Sequence, residues 1–294
     1  MLVKTLRFLI NHPLNHSNKT NALIRFLKWQ IGSRLIPGET VFKWINDSKM
    51  IVKTGETGMT GNIYCGLHEF QDMAFLLHVL RNDDLFVDIG ANVGSYTILA
   101  CAVIGAKGYC FEPVPATFKR LISNIRINDL EKRVIAENIA LGNLKGELHF
   151  SSHLDCMNHV LNADEYNEND LIVKVSTLDD VIEGEPFLMK IDVEGYETPA
   201  VEGAEKILSN EKLCGVIMEL NDSGEKYGYH DDELVRKMLN YGFQPYSYDP
   251  FQRHLIHLKG KNLTQGNTIF ARDIDTVTNR VKTAPKIEVY GNFI

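Results

Sequence analysis

The chain has 294 residues, 44% of them hydrophobic and 23% charged, ordinary globular material for one large or two small cores, which excludes a disordered or fibrous protein. Its formal net charge of −7 argues against gripping nucleic acid as its main work, because phosphate contact needs a basic footprint. The five cysteines (65, 101, 110, 156 and 214) are odd in number and form no CxxC pair, so neither a disulfide framework nor structural zinc is expected, and a reducing, cytoplasmic compartment is.

Residues 1–65 read as an accessory region ahead of a main domain over 66–294. No acidic residue precedes Glu39, while Lys4, Arg7, Lys19, Arg25, Lys28 and Arg34 supply six positive charges. No apolar run approaches the roughly 20 residues that span a bilayer. Leu6 to Ile10 is too short, and too interrupted by Arg7, for a signal peptide. Asn21 to Ile31 sets Leu23, Ile24, Leu27 and Trp29 among Arg25 and Lys28. Such a basic amphipathic helix either packs on the body of the protein or rests on an anionic membrane surface, a peripheral contact at the inner face. After it, Pro37-Gly38, the segment Met50 to Lys53 and turns at Gly55, Gly58 and Gly61 lead to a helix over Phe70 to Leu80.

From there strand and helix patterns alternate. Leu85 to Ile89 is a short apolar strand ending at Gly90, and Tyr96 to Val103 is almost continuously apolar, as in a helix packed on a sheet. Gly108 to Phe111 is a second strand. Pro115 to Ile127 is a helix whose Phe118, Leu121, Ile122 and Ile125 recur at i, i+3, i+4 and i+7. Arg133 to Leu141 is a less regular third unit, followed by a hairpin arm at Glu147 to Ser151 and a polar loop from Asp155 to Asp170. Phe187 to Ile191 is the next core strand, then a helix capped by Thr198 with Pro199 in its first turn. Cys214 to Met218 is another strand, and Asp231 is placed to cap a helix that Gly242 ends. Two or three late strands are expected around Gln244 to Tyr248, His254 to Leu258 and Asn267 to Ala271. This order predicts a doubly wound α/β sheet with helices on both faces.

The sharpest local signal is Asp88-Ile89-Gly90-Ala91-Asn92-Val93-Gly94, between an apolar strand and an apolar helix. Gly90 and Gly94 let the backbone turn and approach a ligand, and the following helix aims free amides at the same place. Glu112, in Phe111-Glu112-Pro113, ends the second strand 22 residues after Gly90, where an acid can accept both ribose hydroxyls of an adenosine. Nicotinamide dinucleotides use the same arrangement. Here, however, Asn92 holds the place of the middle glycine that a pyrophosphate needs, and Asp88 suits the amino-acid end of S-adenosylmethionine and would repel phosphates. The pattern favours a methyltransferase over a nicotinamide-dependent oxidoreductase or a non-catalytic domain that retains the fold. The end of the third strand, Asn138 to Leu141 with Ala140, either faces the adenine edge or merely closes the strand.

The strings LFVDIGANVGSYTILA (85–100), CFEPVPATFKRLISNI (110–125), STLDD (176–180), LMKIDVEGYETPAVEGAEKIL (188–208) and GNTIF (266–270) together resemble the FkbM family of S-adenosylmethionine-dependent methyltransferases, over roughly residues 64–272. The resemblance implies a class I methyltransferase (Rossmann-like) fold with a mostly parallel seven-stranded sheet, and O-methylation of a sugar, glycolipid or polyketide-type hydroxyl. It implies that Gly90, Ala91, Asn92 and Gly94 hold the methionine and ribose parts of the cofactor, with Asp88, Tyr96 and Pro113 beside them and Glu112 on the ribose. The segment Tyr64 to Phe70 lies where such enzymes cover the cofactor, with Glu69 toward its ammonium group and His68 as a further pocket residue.

Methyl transfer to a hydroxyl needs alignment and a proton acceptor, which contributes about 10² to 10⁴ in rate. Candidates lie beyond the C-terminal ends of strands. Asp192, with Glu194 in the same Asp-Val-Glu-Gly turn, is a base, an acceptor anchor, a cofactor contact or a salt-bridge partner of Lys190. Glu219 would neighbour it, and the two could hold a sugar diol or a Mg²⁺ ion, or Glu219 could only cap the turn after it. His159, in the polar loop, is a second base or a surface histidine. The expected partner is a small-molecule or glycan acceptor, as in polysaccharide biosynthesis, and not nucleic acid.

Overall fold

The computed structural model of the chain describes residues 2–36, 38–55, 57–150, 160–161 and 170–294. It opens with α1 (Leu2–Asn11), α2 (Lys19–Leu35), the hairpin of β1 (Thr40–Lys43) and β2 (Lys49–Val52), and α3 (Thr57–Cys65). The Asn18 side chain caps α2 by accepting the Asn21 amide. Leu9, Phe26, Met50 and Ile63 from this region share one buried cluster with Phe86, Leu99, Leu121 and Val277. Within Asn21 to Ile31, Leu23 and Trp29 pack against that cluster, whereas Ile24, Leu27 and Ile31 are exposed.

The main domain continues as α4 (Phe70–Val79), β3 (Leu85–Ile89), α5 (Ser95–Ile98), β4 (Lys107–Phe111), α6 (Pro115–Ile127), β5 (Val134–Glu137), β6 (Ala140–Leu141) and β7 (Gly146–Phe150). Next come β8 (Leu171–Ser176), α7 (Leu178–Val181), β9 (Leu188–Ile191), α8 (Glu197–Glu202), α9 (Glu205–Ser209), β10 (Gly215–Glu219) and α10 (Asp231–Asn240). The chain closes with β11 (Gln244–Asp249), β12 (His254–His257), β13 (Asn267–Ala271), α11 (Ile274–Thr283), β14 (Glu288–Val289) and β15 (Asn292–Phe293).

The central sheet has the order β12-β11-β13-β10-β9-β3-β4-β5. The five strands from β10 to β5 in that order are mutually parallel, and β13, β11 and β12 pair antiparallel beyond them. This is a mixed α/β, Rossmann-like core. The sheet therefore has eight strands and not the expected seven. The extra strand is β12 at the edge, folded back onto β11 by a turn in which Asp249 accepts the amides of Phe251 and Gln252.

Both faces of the parallel strands are buried, so alternate residues feed two cores. Phe86, Cys110, Leu188 and Ile217 join the cluster shared with the N-terminal helices, and Val87, Phe111, Met189 and Val216 pack on the side of α8 to α10. A separate sheet, β6-β8-β7, flanks this body. The expected arm at Glu147 to Ser151 is β7, and its partner β8 was not anticipated, nor were α11 and the β14-β15 hairpin.

Two expected caps are corrected. The helix expected after Thr198 begins earlier, at Glu197, with Tyr196 in the capping position and no side-chain cap. The Glu197 carboxylate instead accepts the amides of Val193 and Gly195 in the preceding turn. His230, not Asp231, precedes α10, because the Asp231 carboxylate is engaged by the Asp222 amide and the Lys261 ammonium. The apolar stretch from Tyr96 is one turn of α-helix continued by a wider π-helical segment over Leu99–Ile104.

Candidate active site

The order of the parallel strands reverses direction around β3: β4 and β5 follow it on one side, β9 and β10 on the other. At such a switch point the loops leaving the strand ends diverge and open a crevice. Here the crevice is a cavity of about 810 Å³. The segments after β3, β4 and β9 line it together with Glu219 at the end of β10, and α1 and α3 add Lys4, Thr5, Phe8, Met59 and Asn62.

On the β3–β4 side the wall is backbone. Gly90 has φ +78° and Gly94 φ +95°, and Asn92 also lies in the left-handed region at φ +50°. A Cβ at Gly90 would stand 1.8 Å from the Asp192 carbonyl oxygen, so only glycine lets this turn pass the end of β9. The amides of Gly90 and Ala91 both donate to the Phe111 carbonyl, at 3.0 and 2.9 Å. Glu112 is buried, and its two oxygens accept the Asn92 and Val114 amides at 3.0 and 2.9 Å. Burial outweighs those two bonds and pushes its pKa up to about 7. Lone pairs remain on both oxygens for further hydrogen-bond donors.

Asp88 is buried and ties β3 to α5: its Oδ2 accepts the Thr97 amide at 3.0 Å and the Thr97 hydroxyl at 2.6 Å. Tyr96 donates its hydroxyl to Glu69 at 2.7 Å, and the other Glu69 oxygen accepts from Asn267 at 3.3 Å. Asn267 also donates to the fully buried Asp72, which burial, reinforced by Glu69, pushes up to about 7.

The β9–β10 side is charged. Asp192 and Glu219, on neighbouring strand ends, are brought together as expected, and Glu194 joins them: one oxygen of each lies within 4.8 Å of the others. Glu219 Oε2 is buried and has no hydrogen-bond partner among the described residues. Burial, then the charges of Asp192, Glu194 and Glu197, push Glu219 up to about 9, and burial with Asp192 pushes Glu194 up to about 7. Lys190 is buried beneath them, donates to Asp192 Oδ2 at 2.5 Å and lies over the Tyr96 ring at 4.7 Å. Burial alone would lower its pKa, but Asp192, Glu69 and Asp88 more than offset this and raise it.

Of the expected cofactor residues, Glu69, Asp88, Gly90, Ala91, Asn92, Tyr96, Glu112, Pro113 and Ala140 line the cavity. Gly94 and Asn138 do not. Gly94 sets the left-handed entry to α5, and the Asn138 amide braces the strand ends by donating to the Glu112 and Pro113 carbonyls at 2.8 and 2.9 Å. His68 lines the cavity with a buried Nδ1 that has no partner among the described residues, and burial lowers its pKa. His159 and most of the polar loop lie outside the described residues.

Sequence reasoning did not place Lys190 at the centre of the charged wall, nor Tyr196, whose ring meets Tyr227 edge-on at 5.8 Å. One sequence signal pointed there, a lysine inside an otherwise apolar strand; the structure adds the positive-φ pair Glu194 (φ +54°) and Gly195 (φ +99°) in the turn after β9, where the Asp192 and Glu194 carboxylates come together.

The model of the methyltransferase FkbM domain matches residues 88–245. No curated protein matches the chain. Among solved structures, a methyltransferase FkbM from Methylobacillus flagellatus is 17% identical, with a TM-score of 0.46 over 66% of this chain. This chain covers 44% of that protein's length. A putative transferase from Pyrococcus horikoshii is 18% identical with a TM-score of 0.41, over 79% of this chain and 70% of its own. TYW2 from P. horikoshii in complex with MeSAdo is 19% identical with a TM-score of 0.39, over 79% and 69% of the two chains.

Proposed function

Starting from the fact that this chain belongs to the FkbM methyltransferase family, we propose that it transfers a methyl group from S-adenosylmethionine to a hydroxyl of a sugar, glycolipid or polysaccharide precursor. One observation carries the reading: the glycine turn with Glu112 and the pair Asp192–Glu219 face each other across a single cavity at the switch point of the sheet.

The residues fit the cofactor, since the Gly90 turn and Glu112 line one cavity and each Glu112 oxygen accepts only one amide, Asn92 or Val114, which leaves lone pairs for hydroxyl donors. Glu112 would take the ribose, Gly90 to Asn92 the chain between ribose and methionine, and Glu69 the ammonium group. Ile139 to Leu141 would line the adenine. When bound, S-adenosylmethionine supplies an electrophilic methyl group, and the protein must align the hydroxyl and remove its proton. Lys190 fixes Asp192 through Oδ2, which leaves Oδ1 to accept that proton. Glu219, pushed up to about 9, keeps its own proton at neutral pH and can donate a hydrogen bond to a second oxygen of the acceptor, as two crowded carboxylates do not both ionise.

The 4.8 Å grouping of Asp192, Glu194 and Glu219 favours one variant of this reading. Three carboxylates and waters are a donor set that Mg²⁺ accepts, and such an ion would hold two acceptor oxygens while Glu219 ionises. Turnover that a chelator abolishes and Mg²⁺ restores selects this variant.

The test of the main reading is titration calorimetry of the purified protein with S-adenosylmethionine and, separately, NADH. Binding of the methyl donor alone, followed by methyl transfer to glycan or lipid acceptors, is expected. Absence of donor binding, or preference for NADH, would overturn it.

A further inference from the structure

α2 is apolar on two opposite faces. Its inner face buries Ala22 and Phe26 in the main core. Its outer face carries Ile24, Leu27, Ile31 and Leu35, which are 42, 53, 58 and 76% exposed, and Ile36 follows at 71%. The spacing of these four, i, i+3, i+7 and i+11, forms one stripe along the helix. A globular helix normally presents a polar face to water, so an unbroken apolar stripe marks a surface that something covers.

The surrounding charge identifies what covers it. Of the six cations before Glu39, five (Lys4, Arg7, Lys19, Lys28 and Arg34) are exposed, and Arg25 alone turns inward, to the Tyr64 carbonyl. No carboxylate precedes Glu39 to neutralise them. A second copy of the chain would bring this cationic face against its own image, and like charges would oppose the contact. An anionic lipid surface offers the opposite charge to the cations and an acyl boundary to the stripe. No helix among the described residues is long and apolar enough to cross a membrane, which leaves a helix lying in the interface.

We propose that the outer face of α2 seats the protein on an anionic membrane surface. α1 and α3 both pack against α2, and both line the cavity, so one layer of helix separates the seated face from the acceptor site. On the methyl-transfer reading, on which this last step rests, the acceptor is then an amphiphile presented from the lipid surface, with its hydroxyl-bearing head reaching past Lys4 and Phe8.

The experiment is co-sedimentation of the full chain with vesicles of phosphatidylcholine alone and of phosphatidylcholine mixed with phosphatidylglycerol, with donor binding measured in parallel by calorimetry. The protein should pellet with the anionic vesicles and not the neutral ones. Binding should fall steeply in about 1 M salt, where the screening length shrinks to about 3 Å. The double variant L27E/I31E, altered only at exposed positions, should bind the vesicles at least about tenfold more weakly with donor affinity unchanged. K19A/K28A should lose about fivefold per charge at low salt. Failure of the wild type to bind anionic vesicles, binding that L27E/I31E leaves unchanged, or light scattering that shows a dimer dispersed by L27E/I31E would each overturn the proposal. Because donor binding is read separately, loss of the membrane contact is distinguishable from failure of the methyltransferase reading.

Discussion

On the cavity wall formed by the ends of β3 and β4, the polar groups that shape the turn have partners: the Gly90 and Ala91 amides, both Glu112 oxygens and Asp88. On the opposite wall, at the ends of β9 and β10, three carboxylates crowd together, Lys190 donates to Asp192, and a buried Glu219 oxygen has no partner among the described residues. The first wall stores shape and the second stores charge. A change of volume should therefore do most harm on the first, and a change of charge on the second.

The largest effect should come from adding one carbon to the shape wall. In Gly90→Ala the new Cβ would lie 1.8 Å from the Asp192 carbonyl oxygen, on a backbone at φ +78°. Positive φ costs a non-glycine residue about 1–3 kcal/mol, and the end of β9 must also move. A fall in stability of roughly 3 kcal/mol or more is expected, together with loss of measurable donor binding. Thermal unfolding and calorimetry check this, and wild-type values in both would show that the turn yields.

On the charge wall an isosteric change should be the damaging one. Asp192→Asn keeps the volume but removes the proposed proton acceptor and the counter-charge of Lys190, so turnover should drop by about 10² to 10⁴ while donor affinity stays within a few fold. Single-turnover kinetics at saturating donor separates the two. Unchanged turnover would remove Asp192 from the role of base.

The two walls were unequally legible in the sequence for the same reason that they differ physically. A backbone turn must be written locally, so Gly90, Gly94 and Glu112 stood out by residue type and spacing, as did β3, β4, β9 and β10. The charged wall depends on which strands become neighbours. Asp192 and Glu219 are 27 residues apart, and their meeting follows from β9 pairing parallel with β10, a long-range fact that spacing only suggests. Likewise, nothing local indicated that β8 would complete a small sheet with β6 and β7, or that α1, remote from the motif, would line the cavity. The apolar stripe on α2 was visible as a pattern, but only the burial of its other face shows that the stripe remains for a partner.

Glu112 sharpens the comparison, because it belongs to the shape wall yet can carry charge. Glu112→Ala should weaken donor binding about ten- to a hundredfold, the worth of charge-assisted hydrogen bonds, with little change in turnover at saturation. Its pKa of about 7 adds a pH signature. The ionised carboxylate is the better acceptor for ribose hydroxyls, so affinity should rise with pH through about 7, and Glu112→Gln should flatten that rise. Calorimetry between pH 6 and about 8 reads both, and an equal slope in the variant would detach the effect from Glu112.

The smallest effect at neutral pH, and the most diagnostic of the charge wall, should come from Glu219→Gln. Burial and the charges of Asp192, Glu194 and Glu197 raise Glu219 to about 9, above the range of an unfolded carboxylate. The sign follows from linkage: a group whose folded pKa is raised contributes stability that is fully present below its unfolded pKa and is lost as pH rises through the folded one. The native protein should therefore lose stability progressively as pH rises from about 4.5 to about 9, and the neutral amide should remove Glu219's share of that slope. With a chelator present, so that no cation competes for the carboxylates, melting curves of the two proteins should converge in acid and separate in favour of the variant toward pH 9. Parallel curves across the range would mean that Glu219 meets water or a cation in solution and ionises as ordinary glutamates do. The second wall would then be no more strained by charge than the first.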